Sequence, residues 1–95
     1  MDWSRLPAPE NVTELASVVG EAEFVLDFGG EVQAVFRLRV CEDLLAEEAA
    51  ERFFARAEAV DEPGLCGRGI ADTPEAAAAL CLRDAGVSLR RARGR

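Results

Sequence analysis

Histidine, lysine and tyrosine are absent from this 95-residue chain, and tryptophan occurs once. The missing histidine removes the commonest general acid–base group and the commonest metal ligand. Ser4, Ser17 and Ser88 stand outside any GxSxG context, and no histidine exists to activate them. Cys41, Cys66 and Cys81 are odd in number, widely spaced and form no CxxC pair, so a four-ligand zinc site is not expected. They read as reduced thiols packed as small hydrophobes. Gly64, Gly67 and Gly69 have the wrong spacing for a dinucleotide fingerprint, and no lysine follows to complete a phosphate loop. They read as loop and strand-edge flexibility. Neither an enzyme nor a cofactor is expected.

Long apolar runs are also missing. Nothing approaches the roughly 18 residues of a membrane span. The start, MDWSRLPAPE, lacks the basic and apolar regions of a signal peptide. The expectation is a cytoplasmic protein without a membrane partner.

What the chain has is acid. The formal net charge is −7, all eleven basic residues are arginine, and five of those lie within residues 83–95. With Asp84 that segment carries +4, so the preceding body carries −11. Such a body repels nucleic acid and anionic membranes but can steer toward a basic protein surface. Plain solubility is the alternative meaning of the same charge. Glu42-Asp43, Glu47-Glu48 and Asp61-Glu62 are adjacent carboxylates in polar stretches, without the spaced pattern of a calcium loop.

Glu21–Cys41 organises the fold. Phe24, Leu26 and Phe28 alternate on one strand, and Val32, Ala34, Phe36, Leu38 and Val40 on the next. A two-residue Gly29-Gly30 turn would set Phe28 opposite Glu31 and mix polar with apolar side chains. A three-residue connection instead pairs Phe28 with Val32, Leu26 with Ala34 and Phe24 with Phe36. It also sets Glu23 opposite Arg37 and Glu21 opposite Arg39. That register, with strands at 22–28 and 32–40, is the one predicted.

Elsewhere the pattern predicts one small α+β domain over residues 11–89. An extended arm, 1–10, precedes it and a flexible arginine-rich tail, 90–95, follows. Trp3 in the arm reads as either a packing anchor or a contact residue. Asn11 and Glu14 suggest a capped helix over 11–19, ended by Gly20. Residues 43–60 read either as one long helix or as a helix over 43–50 and a strand over 52–60. The Asp61–Gly64 turn and a strand over 65–71 favour the second reading. Thr73, Pro74 and Glu75 start a helix over 74–85, with Gly86 as its stop. Val87-Ser88-Leu89 could then add a short edge strand.

From Phe53 onward, the order FFARAEA, a Pro-Gly turn, a second strand and Asp72-Thr73-Pro74-Glu75-Ala76-Ala77 resembles HicB-type antitoxins over residues 52–86. Two extra residues separate the turn from Asp72-Thr73, and Ala76 replaces a glutamate of the family pattern. The resemblance implies an acidic protein that masks a basic RNA-cleaving toxin.

Together these readings predict a stoichiometric binding protein. It would inhibit a basic nuclease or nucleic-acid-binding complex as an antitoxin, an immunity protein or a phage-encoded anti-CRISPR inhibitor. The partner would meet Glu42, Asp43, Glu47, Glu48, Glu51, Asp61 and Glu62, with no direct contact to nucleic acid. The alternative is a structural or accessory domain that forms a homodimer through its edge strands.

Overall fold

The computed structural model describes residues 16–30 and 32–93. Within them, β1 (Ala16–Asp27), β2 (Gln33–Asp43), β3 (Phe53–Ala59) and β4 (Cys66–Ala71) form an antiparallel sheet in the order β1-β2-β3-β4. The helix α1 (Pro74–Arg93) crosses one face of that sheet, giving a small α+β fold.

The hairpin register follows from its two faces. Phe24 lies opposite Phe36, Leu26 opposite Ala34, Glu23 opposite Arg37 and Glu21 opposite Arg39. The Phe28 N–H donates to the Val32 carbonyl at 2.8 Å, closing the hairpin with Phe28 facing Val32. Gly29 and Gly30 have φ of 91° and 61°, the left-handed region that glycine enters without a Cβ penalty. Phe24 and Phe36 stack with ring centroids 5.3 Å apart. The core then runs from Phe36 and Val40 through Ala55, Ala57 and Ala59 to Ala77, Cys81, Ala85 and Leu89 of α1.

Small residues set how closely the helix approaches. A Cβ built on Gly67 would meet Ala85 N at 2.5 Å, and one on Gly69 would meet Cys81 N at 2.6 Å. These glycines let α1 lie directly on β4. The turn before β4 has Pro63 and Gly64 at its two corners, with Gly64 at φ 93° and the Leu65 N–H bonded to the Glu62 carbonyl. Thr73 caps α1 by accepting the Ala76 N–H at 3.1 Å.

Three local expectations are overturned. The helix over 11–19 is replaced, from residue 16 onward, by β1; residues 11–15 and the arm 1–10 lie outside the described residues. Val18 and Val19 are β-branched and extend the hairpin, with Val18 opposite Cys41. Gly20 adjoins the register shift between Val18 and Gly20 and ends no helix.

The helix over 43–50 is also absent; the segment holds a turn and one 3-10 turn, Ala49–Glu51. Here the Asp43 N–H donates to the Arg52 carbonyl at 2.7 Å. Residues 44–51 must therefore return within one strand spacing of about 4.8 Å, whereas eight helical residues would travel about 12 Å. Loop closure overrides helix propensity. Asp43 still caps, but it caps a turn, through the Leu45 N–H at 2.9 Å.

Lastly, α1 does not stop at Gly86 but continues to Arg93, through the residues expected as an edge strand and as the start of a free tail. Gly86 is buried and makes room for Phe28, whose ring would lie 3.3 Å from an added Cβ. The Arg90 guanidinium covers the same ring, 4.9 Å from its centroid. The Arg93 guanidinium pairs with the Glu62 carboxylate, one of its two bonds measuring 2.9 Å.

Candidate binding surfaces

The seven carboxylates singled out from the sequence do not share one face. Glu42 and Asp43 end β2, and Glu47, Glu48 and Glu51 occupy the loop before β3, so these five gather at one pole of the sheet. Asp72 and Glu75 join them, because Ala71 at the end of β4 lies opposite Phe53 at the start of β3. Asp61 and Glu62 lie at the other end of β3, beside the arginine-rich end of α1. Two of the seven are held in ion pairs: Glu42 with Arg52 at 2.6 Å and Glu62 with Arg93. Glu47, Glu48 and Glu51 are exposed.

A second surface was not read from the sequence at all. The sheet face turned away from α1 carries three rows that cross the strands. One row runs Glu21–Arg39–Arg56–Arg68, residue opposite residue from β1 to β4. The row toward the acidic pole runs Val18–Cys41–Phe54–Ile70, and the row toward the hairpin turn runs Glu23–Arg37–Glu58–Cys66. Neighbouring strands stand about 4.8 Å apart, so three arginines abreast span about 10 Å. Rows on one face are about 6.7 Å apart, two residues along the strand.

Like charges directly opposite one another disfavour a sheet. Here Arg56 stands between Arg39 and Arg68 in a protein whose net charge is negative. Arg39 is answered by Glu21 at 2.7 Å, and the Arg56 guanidinium lies 5.1 Å from the centre of the Phe54 ring. Among the described residues, no ion pair holds the side chain of Arg37 or Arg68. Val18 and Ile70 are 53% and 58% exposed at the two ends of the apolar row. A groove of about 780 Å³ is lined from these rows by residues that include Arg37, Arg39, Cys41, Phe54, Arg56 and Arg68, but not by Glu21, Glu23 or Ile70. Cys41, within the apolar row of this face, is only 5% exposed.

The two edges of the sheet differ. On β4, the Arg68 N–H, directed away from β3, donates to the Asp84 carboxylate of α1 at 2.9 Å. That side chain blocks strand addition at the centre of the β4 edge.

Cys81 is buried on the sheet-facing side of α1, and burial, reinforced by Asp84 and Cys66, raises its thiol pKa from 9.0 to about 11. A thiol held protonated in this way is a poor nucleophile. Its linkage to folding follows in sign: the contribution is fully present below pH 9 and is lost as pH rises from 9 toward 11. Among the described residues, no cluster of three or more Cys, Asp or Glu side chains is arranged to hold a metal ion. Nor is any described helix long and apolar enough to cross a membrane.

Compared with family models, with curated proteins and with solved structures, the chain finds no match in any of the three.

Proposed function

We propose that this chain is a non-catalytic binding protein that holds an extended anionic partner against the open face of its sheet. The observation that supports this most directly is the alignment of Arg39, Arg56 and Arg68 on adjacent strands. Folding alone disfavours that alignment, and departures from local rules of this kind concentrate at functional sites. An anionic partner would add negative charge along this line, above all at Arg68, whose side chain no ion pair holds among the described residues.

The test is amide chemical-shift mapping during titration with inorganic polyphosphate, an extended polyanion without side chains. Shifts should concentrate at Arg39, Cys41, Phe54, Arg56, Arg68 and Ile70. Shifts confined to Arg90, Arg91 and Arg93 would move the site to the end of α1 and overturn this reading.

A second reading is favoured by the acidic pole. Glu47, Glu48, Glu51, Asp72 and Glu75 gather there, and Arg52, already paired with Glu42, is the basic side chain among the described residues at that end. This surface suits a basic protein partner, and an antitoxin-like or anti-CRISPR-like masking role, of the kind the pattern over 52–86 implies, would use it. Charge reversal at Glu47, Glu48 and Glu51 together should slow association with a basic nucleic-acid-binding partner severalfold while changing its release little. Unchanged association in a stopped-flow salt series would remove the pole from the account.

A further inference from the structure

We propose that the free edge of β1 takes up a strand from a partner protein, one that alternates basic with apolar residues. Among the described residues β1 pairs only with β2, so its other side is unpaired. The hydrogen bonds beside it fix which backbone groups point there. The Val60 N–H donates to the Val35 carbonyl at 2.9 Å, so Val35 directs its peptide groups toward β3. Val25, opposite Val35, therefore directs its own N–H and C=O away from β2. Bonded and unbonded pairs alternate along an antiparallel ladder, and the bond from Phe28 to Val32 at the turn gives the same phase. Glu21, Glu23, Val25 and Asp27 thus present a row of backbone donors and acceptors to the edge.

The opposite edge is closed at its centre, where Asp84 accepts the Arg68 N–H. The helix rests chiefly on β4 and β3, which leaves β1 at the margin of the core. Phe24 and Leu26 are only half-buried there, and Val25 on the other side of the strand is 62% exposed. An added strand would extend the apolar layer beside Phe24 and Leu26.

Charge selects the occupant. Glu21, Glu23 and Asp27 lie on one side of β1, and the strand holds no basic residue. Glu21 is paired with Arg39, and Asp27 accepts the Gly29 N–H at 2.8 Å. Glu23 is exposed, and no ion pair holds it among the described residues. A second copy of the chain fits this edge badly. Twofold antiparallel pairing of β1 with itself sets carboxylate opposite carboxylate in every register centred from Glu21 to Val25. Centred on Phe24, for example, Glu21 meets Asp27; centred on Val25, Glu23 meets Asp27. Like charges so placed disfavour pairing. Arginine or lysine at alternate positions turns the same contacts into opposite-charge pairs, and the apolar residues between them cover Phe24 and Leu26. In strand addition the backbone bonds supply affinity and the alternating side chains supply specificity.

The experiment is fluorescence anisotropy with a labelled octapeptide that alternates arginine and valine, over a salt series. One control has the same composition with its arginines in a single block, and the other alternates glutamate and valine. The alternating arginine peptide should bind at least tenfold more tightly than either. Amide hydrogen exchange should slow at Glu21, Glu23, Val25 and Asp27 on binding, while the β4 amides stay unchanged. Val25→Pro removes one outward N–H, leaves the ladder to β2 intact and should weaken binding at least tenfold. Glu23→Gln, which keeps every backbone group, should weaken it severalfold and flatten the salt dependence.

Equal binding of the block peptide would reduce the edge to a charged surface and overturn strand addition. Equal binding of the glutamate peptide would overturn the basic assignment. A dimer in sedimentation that Val25→Pro dissociates would make the occupant a second copy and overturn it likewise. Affinity unchanged in both variants, or no binding of any peptide, would remove the edge as a site. None of these outcomes depends on what the open face holds.

Discussion

Replacing Gly69 with alanine should destabilise the domain by about 3 kcal/mol or more, lowering Tm by roughly 12–24 °C. The added methyl would enter the helix backbone itself, overlapping the Ala77 carbonyl oxygen and approaching Cys81 N at 2.6 Å. A flexible side chain could swing aside, but a helix backbone yields only by lifting α1 off β4. Lifting it would open the contact of Ala77, Cys81 and Ala85 with the sheet, all three of which are fully buried. Against a total stability of about 5–15 kcal/mol for a domain, that loss is large. Gly67→Ala should behave similarly, with Ala85 N at 2.5 Å. The opposite expectation is equally definite. If these glycines supplied only flexibility, alanine would be neutral or would stabilise by about 0.4–1 kcal/mol through the unfolded chain. Thermal melts of the two variants separate the accounts by sign.

The glycines also mark where sequence reasoning ran out. The hairpin was legible because two independent patterns, an apolar face and opposed Glu–Arg pairs, agree on only one register. The start of α1 was legible because its cap is local chemistry, Thr73 and Pro74. The role of Gly67 and Gly69 was not, because it depends on which helix lies over them. A signal did exist: glycines two apart share one strand face, and an alanine-rich helix follows directly.

The arginine rows were hidden for a related reason. Arg37 and Arg39 looked fully accounted for by Glu23 and Glu21, while Arg56 and Arg68 each sat alone in an alternating strand. Only the register of β3 on β2 and of β4 on β3 brings Arg39, Arg56 and Arg68 into line. The acidic cluster failed in the opposite direction. Residues close in the sequence pattern, Glu51 and Asp61, were separated by the full length of β3. Whole-chain charge therefore concealed a surface with separate acidic, apolar and arginine-rich regions.

Leu89→Ala is the substitution that tests where the domain ends. Leu89 is fully buried and continues the four-residue spacing of Ala77, Cys81 and Ala85 along the inner side of α1. Truncating a buried leucine removes its transfer free energy and leaves a cavity, together about 2–5 kcal/mol. A short edge strand beside a frayed tail would lose far less. Leu80→Ala is the matched control: it makes the same chemical change on the same helix, but at a side chain 44% exposed. Denaturant melts should show a large midpoint shift for Leu89→Ala and a shift several times smaller for Leu80→Ala. Arg90→Ala and Arg93→Ala should each cost about 0.5–1 kcal/mol, through the Phe28 ring and the Glu62 pair respectively. Helix dipole and side-chain charge act in the same direction there, since the last turn places Arg90, Arg91 and Arg93 at its negative end. Arg90 and Arg93, expected in a solvated tail, thus have a structural task, the closing of α1 onto the hairpin and the β3–β4 turn. Arg90 and Arg93 are engaged in this way, whereas Arg91, like Arg37 and Arg68, has no ion pair among the described residues.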